Sequence, residues 1–292
     1  MSIEIYRQRI EKELLLSIGK MGEASQLRDA CEYALTNGGK RMRPILVMMI
    51  ADALGHGLDV SPAALSVEYL HTASLIADDL PCMDDDAMRR NRPSLHKVFG
   101  ESVAILASYT LIAEGYGGIY RNSRLMKNSP SFAAQADSVA ILCLELATRA
   151  AGIQGATNGQ FLDLYPPDST LETIQKIIVQ KTVTLFEISF VFGWLFGGGS
   201  EDALERVQKC AYHLGMAFQI ADDLQDDLQD ASRASAINIS AVCGKEKAGE
   251  MFEENIESLI VCLRDLKLWT PSFERVVDWL RQLVSQPVEI VK

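Results

Sequence analysis

Apolar residues recur at three- and four-residue steps along almost the whole chain, and this period restricts the fold more than any other feature. It runs through Asp29 to Leu35, Ile45 to Leu54, Ala63 to Ile76, Val103 to Ile119, Phe132 to Ala151 and Leu171 to Phe196. That spacing lines one face of an α-helix. No stretch alternates apolar and polar residues between turn signals, so strands are not expected. Breaks fall at Asn37-Gly38-Gly39, Gly55-His56-Gly57, Pro81, Asn91 to Pro93, Asn128 to Pro130, Pro166-Pro167, Gly197 to Gly199 and Pro271. Ser61-Pro62 places a proline at a first helical position, and Asp168 or Ser169 stands where a cap is needed before Leu171. No internal repeat or linker divides the 292 residues. The expectation is one all-α domain over residues 1–292, with roughly ten helices at ordinary helix length.

Charge is concentrated rather than spread. The chain carries a formal −11, yet residues 78–86 (DDLPCMDDD) and 222–230 (DDLQDDLQD) each hold five aspartates and no base. Without these two windows the balance is 28 − 29 = −1. Both lie inside apolar helical sequence, unlike a solubilising coat or a disordered acidic tail. The absence of a basic excess argues against a nucleic-acid partner. The six cysteines form no CxxC pair and no zinc spacing, which reads as reduced thiols in a cytoplasmic protein. The N-terminus has no apolar core of a signal peptide. The most apolar run, Ile188 to Gly199, is short and glycine-rich, so no membrane span is expected.

Asp222 and Asp226 are four apart and share a helix face, with Gln219 one turn before them. Like charges at that spacing repel unless something compensates, and a cation does so. Every acid in the two windows is aspartate, although glutamate is the commoner acid over the chain, 20 against 19. A solvated helix face favours glutamate, the better helix former. Short carboxylates suit Mg²⁺, which takes one or two of them plus substrate phosphates. In the first window, His71, Leu75, Asp78 and Asp79 fit one helical face. Pro81 disfavours helix at Leu80, so Asp84 reaches back from a loop and can converge with Asp78.

Bases stand opposite these acids. Asn37-Gly38-Gly39-Lys40-Arg41-Met42-Arg43-Pro44 is a glycine-rich turn with three bases ahead of an apolar helix, and it suits a phosphate. It is not a P-loop, because GxxxxGK followed by Ser or Thr is absent. Arg89 and Arg90 follow the first acidic window, and Lys181-Thr182 opens another helical stretch. His71 taken alone is more often a packed structural histidine than a ligand. Together the groups describe two diphosphates, one held through metal by carboxylates and one by bare cations. Departure of one diphosphate as a leaving group fits that arrangement.

Four segments, GGKRMRP, HTASLIADDLPCMDDDAMRRNRPSLHKVFGE, QKT and FQIADDLQD, together resemble the trans-prenyl diphosphate synthases of the polyprenyl synthetase family. The likeness runs from about Cys31 to Asp230. It implies an all-α bundle around a deep central cavity (the isoprenoid synthase type), a homodimer, and condensation of an allylic diphosphate with isopentenyl diphosphate. By resemblance, Lys40, Arg43, His71 and Arg90 hold isopentenyl diphosphate. Asp78 and Asp84 bind Mg²⁺ on the allylic diphosphate, and Asp222 binds a further Mg²⁺, three ions per site in all. Arg89, Lys181, Thr182 and Gln219 contact the allylic group. Asp79, Asp223 and Asp226 complete the motifs as ligands, water holders or electrostatic support.

The chain departs from the family pattern after the second motif. The text DDLQDASRASAINISAVCGKEK has no lysine between Asp222 and Lys245, where the family carries a glycine-lysine segment reaching the allylic diphosphate. Arg233 is the candidate substitute. Ala77 replaces a histidine often found just before the aspartates. In this family the side chains four and five residues before the first motif floor the tail pocket. Here they are the small Ser74 and Ala73, and with the inserted Pro81-Cys82 they resemble the geranylgeranyl makers. Closure by Tyr109 or Tyr116 would give the fifteen-carbon farnesyl product instead. The competing readings are a non-catalytic subunit of a heteromeric synthase and a class I terpene cyclase. Such subunits usually lose one aspartate motif, and cyclases do not need the Gly-Gly-Lys-Arg site.

Overall fold

The computed structural model describes residues 2–229 and 238–285, with side chains throughout except those of residues 226–229. The described residues are all-α apart from one short ladder. They divide into two compact units: the residues up to Thr148 with Val191–Gly199, and Arg149–Phe190 with the residues from Ser200 on.

The first unit holds α1 (Ile3–Ile18), α2 (Gln26–Leu35), α3 (Met42–Leu54), α4 (Ser61–Asp78), α5 (Leu95–Phe99), α6 (Glu101–Met126) and most of α7 (Ala136–Ala151). Its centre is the pair α4 and α6. Ala63 N–H of α4 donates to Asn122 Oδ1 of α6, Ser66 Oγ donates to Gly115 O, and Ser108 Oγ donates to Ala73 O. Partners rise along one helix as they fall along the other, so the two are antiparallel. Small residues allow the approach. A methyl at Gly118 would stand 2.7 Å from Pro62 O and 2.8 Å from Ser66 Cβ. In α3 the run from Ile45 to Ala51 is wholly buried, so this helix is apolar on every side rather than on one stripe.

The second unit holds α8 (Ala156–Leu164), α9 (Leu171–Ile178), the first half of α10 (Thr184–Phe196), α11 (Leu204–Gln229), α12 (Ile239–Cys243), α13 (Lys245–Asp265) and α14 (Pro271–Ser285). An aromatic chain forms its core: Phe186 to Phe218 at 5.2 Å, Phe218 to Trp279 at 6.1 Å and Phe190 to Phe273 at 6.2 Å. Centroids at these separations suit tilted aromatic packing. A single π turn, Val179–Val183, joins α9 to α10 without a break. π turns of this kind are frequent at functional sites.

The structure revises several local expectations. Met88–Arg89 and Arg92–Pro93 form a two-stranded antiparallel ladder, β1 and β2. Four paired residues are too few to leave an alternation in the sequence. Arg90 and Asn91 close it, both at positive φ (54° and 62°), the conformation of a tight two-residue hairpin. The helix carrying Leu171 is capped by Thr170, whose hydroxyl accepts from Thr173 N–H, while Asp168 supports Thr170 from behind. Pro62 sits second in α4, and Asp59 accepts from Ser61 N–H. The apolar run at Ile188 lies at the end of the helical stretch that the apolar period marked. Leu171–Phe196 spans 26 residues and Ala133–Leu164 spans 32, both long and apolar enough by length and composition to cross a membrane. The apolar window of the first is 78% buried, as in a core helix; that of the second is 33% buried and broken at residues 152–155.

Gly118→Val is expected to lower stability by about 1–3 kcal/mol through overpacking, read as a shift in the urea midpoint at unchanged slope. An unchanged midpoint would show that α4 and α6 can separate at no cost.

Candidate active site

The glycine-rich turn is built around a buried cation. Arg41 is 3% exposed and adopts a left-handed backbone (φ 51°) ahead of α3. Its guanidinium donates to Glu68 at 2.5 Å, to Glu11 at 2.7 Å and to Leu35 O at 2.5 Å. Burial pulls its pKa down, but Glu68 and Glu11 outweigh that and hold it above the ordinary arginine value. Of the three bases in this turn, Arg41 therefore serves the fold. Lys40, exposed, and Arg43, half-buried, flank it.

Arg43 meets His71 of α4 at 3.3 Å, through the imidazole Nε2. A guanidinium can only donate, so Nε2 accepts and the imidazole proton sits on Nδ1. That Nδ1 is buried and has no hydrogen-bond partner. Burial, then the charges of Arg43, Arg90, Arg41 and Arg89, hold His71 well below the usual histidine range. The hairpin completes the set. Arg90 donates to Gly38 O at 2.6 Å, and Asn37 Nδ2 donates to Arg89 O at 3.0 Å. A methyl at Gly39 would fall on the Arg90 guanidinium, so glycine there admits the arginine. Tyr33 of α2 steadies the hairpin from the other side, donating to Pro93 O at 2.8 Å with Arg92 4.2 Å over its ring. Turn, helix and hairpin thus bring Arg43, His71 and Arg90 together, with Lys40 on the same turn. A cavity of about 30 Å³ is lined by Asn37, Thr72, Asp79, Arg89 and Arg90 among others.

The first aspartate motif begins where α4 ends. Asp84 N–H donates to Asp78 O at 2.9 Å, and Met83 and Asp85 N–H both donate to Leu80 O. The chain after Pro81 therefore curls back and sets Asp84 beside Asp78, as the proline position implied. Asp78 is half-buried and Asp84 exposed. Asp79 is buried and takes Arg89 as an ion pair, with Asp86 also on Arg89 at 3.3 Å. Burial raises the Asp79 carboxyl above its usual value, although Arg89 pulls the other way.

In the second unit, the π turn presents Lys181 and Thr182. Gly159 of α8 lies against its backbone, where a Cβ would overlap Lys181 N. One helical turn further along α8, Asp163 pairs with Lys181 at 2.5 Å. Thr182 Oγ1 donates to Gln219 Oε1 at 2.9 Å, Gln219 Nε2 donates to Asp223 Oδ1 at 2.8 Å, and Ile239 N–H donates to Asp223 Oδ2 at 2.9 Å. Asp222 is half-buried beside this chain of bonds. The Asp226 side chain and Arg233 lie outside the described residues. Among the described residues, no group of three His, Cys, Asp or Glu side chains is arranged to hold a metal ion alone.

Asp163 had no signal in the sequence, because it stands 18 residues from Lys181 and only the packing of α8 on the π turn joins them. Tyr109 is placed differently from its expected role at the tail pocket. Ser108 is the α6 residue that reaches Ala73, while Tyr109, one position round the helix, is 63% exposed. Ala73 is buried, and Ser74 donates to His71 O within its own helix at 2.9 Å.

Residues 24–237 match the family model for polyprenyl synthetase, and the chain belongs to that family, a family of prenyltransferases. Among curated relatives, it is 34% identical over 270 residues to the heterodimeric geranylgeranyl pyrophosphate synthase large subunit 1, chloroplastic, of Arabidopsis thaliana, covering 87% of this chain and 71% of that one. It is 35% identical to the farnesyl diphosphate synthase of Bacillus subtilis, covering 75% and 73%. Other plant geranylgeranyl relatives are matched over only 60% of their length. A solved geranyltransferase from Legionella pneumophila superposes with a TM-score of 0.80 at 31% identity, covering 97% of this chain and 95% of that one.

The His71 environment has a pH signature. Its folded pKa lies below the unfolded value of about 6.5, so the unfolded chain binds the extra proton first. Stability is then full above pH ~6.5 and falls as pH drops through the interval down to the folded pKa. In the urea midpoint measured against pH, His71→Gln is expected to remove that part of the acid slope. Inorganic pyrophosphate should raise the His71 pKa in proton NMR by offsetting the nearby arginines. An ordinary pKa unmoved by pyrophosphate would contradict the placement.

Proposed function

We propose that this chain condenses isopentenyl diphosphate with an allylic diphosphate to give a short-chain trans-prenyl diphosphate, with the twenty-carbon geranylgeranyl product preferred and the fifteen-carbon farnesyl product next. The observation that carries the reading is the meeting of Arg43, His71 and Arg90, a cation set with a buried unpartnered N–H, and apart from it the pair of half-buried Asp78 and exposed Asp84. One anion is suited to direct contact and the other to contact through metal.

In this reading Lys40, Arg43, His71 and Arg90 bind the isopentenyl diphosphate and fix its alkene. His71, neutral, donates through Nδ1 to a phosphate oxygen. Asp78, Asp84 and Asp222 are the carboxylates that would hold Mg²⁺. The hard, water-retaining ion fits this sparse, partly exposed donor set. When bound, Mg²⁺ stabilises the diphosphate as it leaves. Arg89, Lys181, Thr182 and Gln219 orient the allylic group, so Lys181 exchanges Asp163 for phosphate. The C1–O bond breaks, the alkene attacks the allylic cation, and a proton passes to the departing diphosphate. No side-chain nucleophile takes part.

Ala73 and Ser74 leave room for the longer tail, and the exposure of Tyr109 supports this. We take residues 1–292 as one catalytic domain of a cytoplasmic enzyme, with all six cysteines free. A homodimer is supported by the exposed apolar residues Leu106, Tyr109 and Tyr120 on α6 and Ile141 on α7.

Incubation with Mg²⁺, isopentenyl diphosphate and each allylic primer, with the products sized, tests the reading. Elongation to twenty carbons is expected. No elongation with any primer would leave the non-catalytic subunit, and a cyclic product the cyclase. An endpoint of fifteen carbons would overturn only the tail-pocket assignment. Asp78→Ala is expected to lower turnover by about a hundredfold or more.

A further inference from the structure

Each aspartate motif opens with a pair, and in both pairs the two members meet different surroundings. Asp78 and Asp222 are half-buried. Asp79 and Asp223 are buried, at 3% and 7% exposure. Neighbours on a helix point about 100° apart, so when the first member faces the site, the second faces the protein. There each second member meets a donor from further along the chain. Asp79 Oδ1 accepts from Arg89 Nε at 2.8 Å and again from a terminal nitrogen of the same guanidinium, ten residues on. Asp223 accepts at both oxygens, from Gln219 Nε2 at 2.8 Å and from Ile239 N–H at 2.9 Å, the latter sixteen residues on.

We propose that the second aspartate of each pair is a positioning residue rather than a metal ligand: Asp79 seats Arg89 and its hairpin, and Asp223 seats the start of α12 while orienting Gln219 toward Thr182. The inference deepens the proposed function and rests on it for the role of Arg89. The first motif shows the consequence best. Arg89 O accepts from Asn37, and the neighbouring Arg90 reaches Gly38 O. One carboxylate thus sets the arginine assigned to the allylic group and, through the same hairpin, the arginine assigned to the other diphosphate. In the second motif, Asp223 joins α11 to the first residue of α12, across the stretch where the expected lysine is missing. Turning Asp223 toward a cation would leave the buried Ile239 N–H unmet, which buried polar groups rarely tolerate, and turning Asp79 would break the Arg89 ion pair.

Asn variants separate the two roles. For Asp79→Asn the Mg²⁺ concentration giving half activity is expected to stay within about twofold of wild type, while KM for the allylic diphosphate rises about tenfold, the size of one loosened charge-assisted hydrogen bond. Arg89→Gln alone should raise KM at least as far, and the double variant should be no worse than Arg89→Gln, because Asp79 acts through that arginine. Asp78→Asn should instead raise the Mg²⁺ requirement. In amide hydrogen exchange, with no substrate or metal present, Asp223→Asn is expected to speed exchange at Ile239 and Asp222→Asn to leave it unchanged. Asp79→Asn and Arg89→Gln should each speed exchange in residues 88–93. A Mg²⁺ requirement raised in Asp79→Asn or Asp223→Asn as far as in Asp78→Asn would overturn the proposal, as would unmoved exchange at Ile239 in Asp223→Asn. If wild type elongates nothing, the proposed function fails, while the exchange results still decide whether the second aspartates position these segments.

Discussion

A single buried guanidinium holds the first unit's site together. Arg41 joins α1 through Glu11, α2 through Leu35 O and α4 through Glu68, and does so from the turn that leads into α3. A buried ion pair is weak evidence of net stability, but breaking one by removing a partner typically costs about 3–5 kcal/mol. The effect here is on shape. With Arg41 pinned inward in a left-handed conformation, Lys40 and Arg43 sit on either side of it, and Arg43 falls against His71. Exposed cations alone would not hold their places, because exposed ion pairs contribute little and long side chains are free to wander.

The acidic and basic halves of the site are then linked by short struts. The hairpin carrying Arg89 and Arg90 touches Asp79 at one end and the Asn37-Gly38 turn at the other. Within the first unit, Asp78 and Asp84 and the cations assigned to bare phosphate are therefore fixed to one small frame. The net charge of −11 takes on a local meaning in this light: ten of the acids belong to the two motifs, and the remainder of the chain is near neutral. Without metal, those acids would oppose an anionic substrate.

Much of this was legible in the sequence, for identifiable reasons. Helices were visible because their apolar period is long and regular, and the Asp78–Asp84 convergence followed from Pro81, since proline acts on the backbone locally. Other features depend on contacts between segments. Lys40, Arg41 and Arg43 read alike until the positive φ of Arg41 turns it inward. Asp78 and Asp79 are the same residue type, and only helix rotation against the fold makes one face the site and the other Arg89. The π turn leaves no compositional trace, and Asp163 matters only because Gly159 lets α8 approach it. Tyr109 was a candidate as a large residue on the helix that follows the motif, yet the stripe of α6 that packs on α4 runs through Ser108, Gly115 and Gly118.

In the proposed reaction one diphosphate is bound by cations alone, while the other needs metal in addition to its basic and polar contacts. Calorimetric titration in the presence of a chelator tests it directly. Isopentenyl diphosphate should bind without metal and lose that binding in Arg43→Ala, while a non-reacting allylic diphosphate analogue should bind only after Mg²⁺ is restored. Equal binding of both ligands without Mg²⁺, or an absolute Mg²⁺ requirement for isopentenyl diphosphate, would contradict the account.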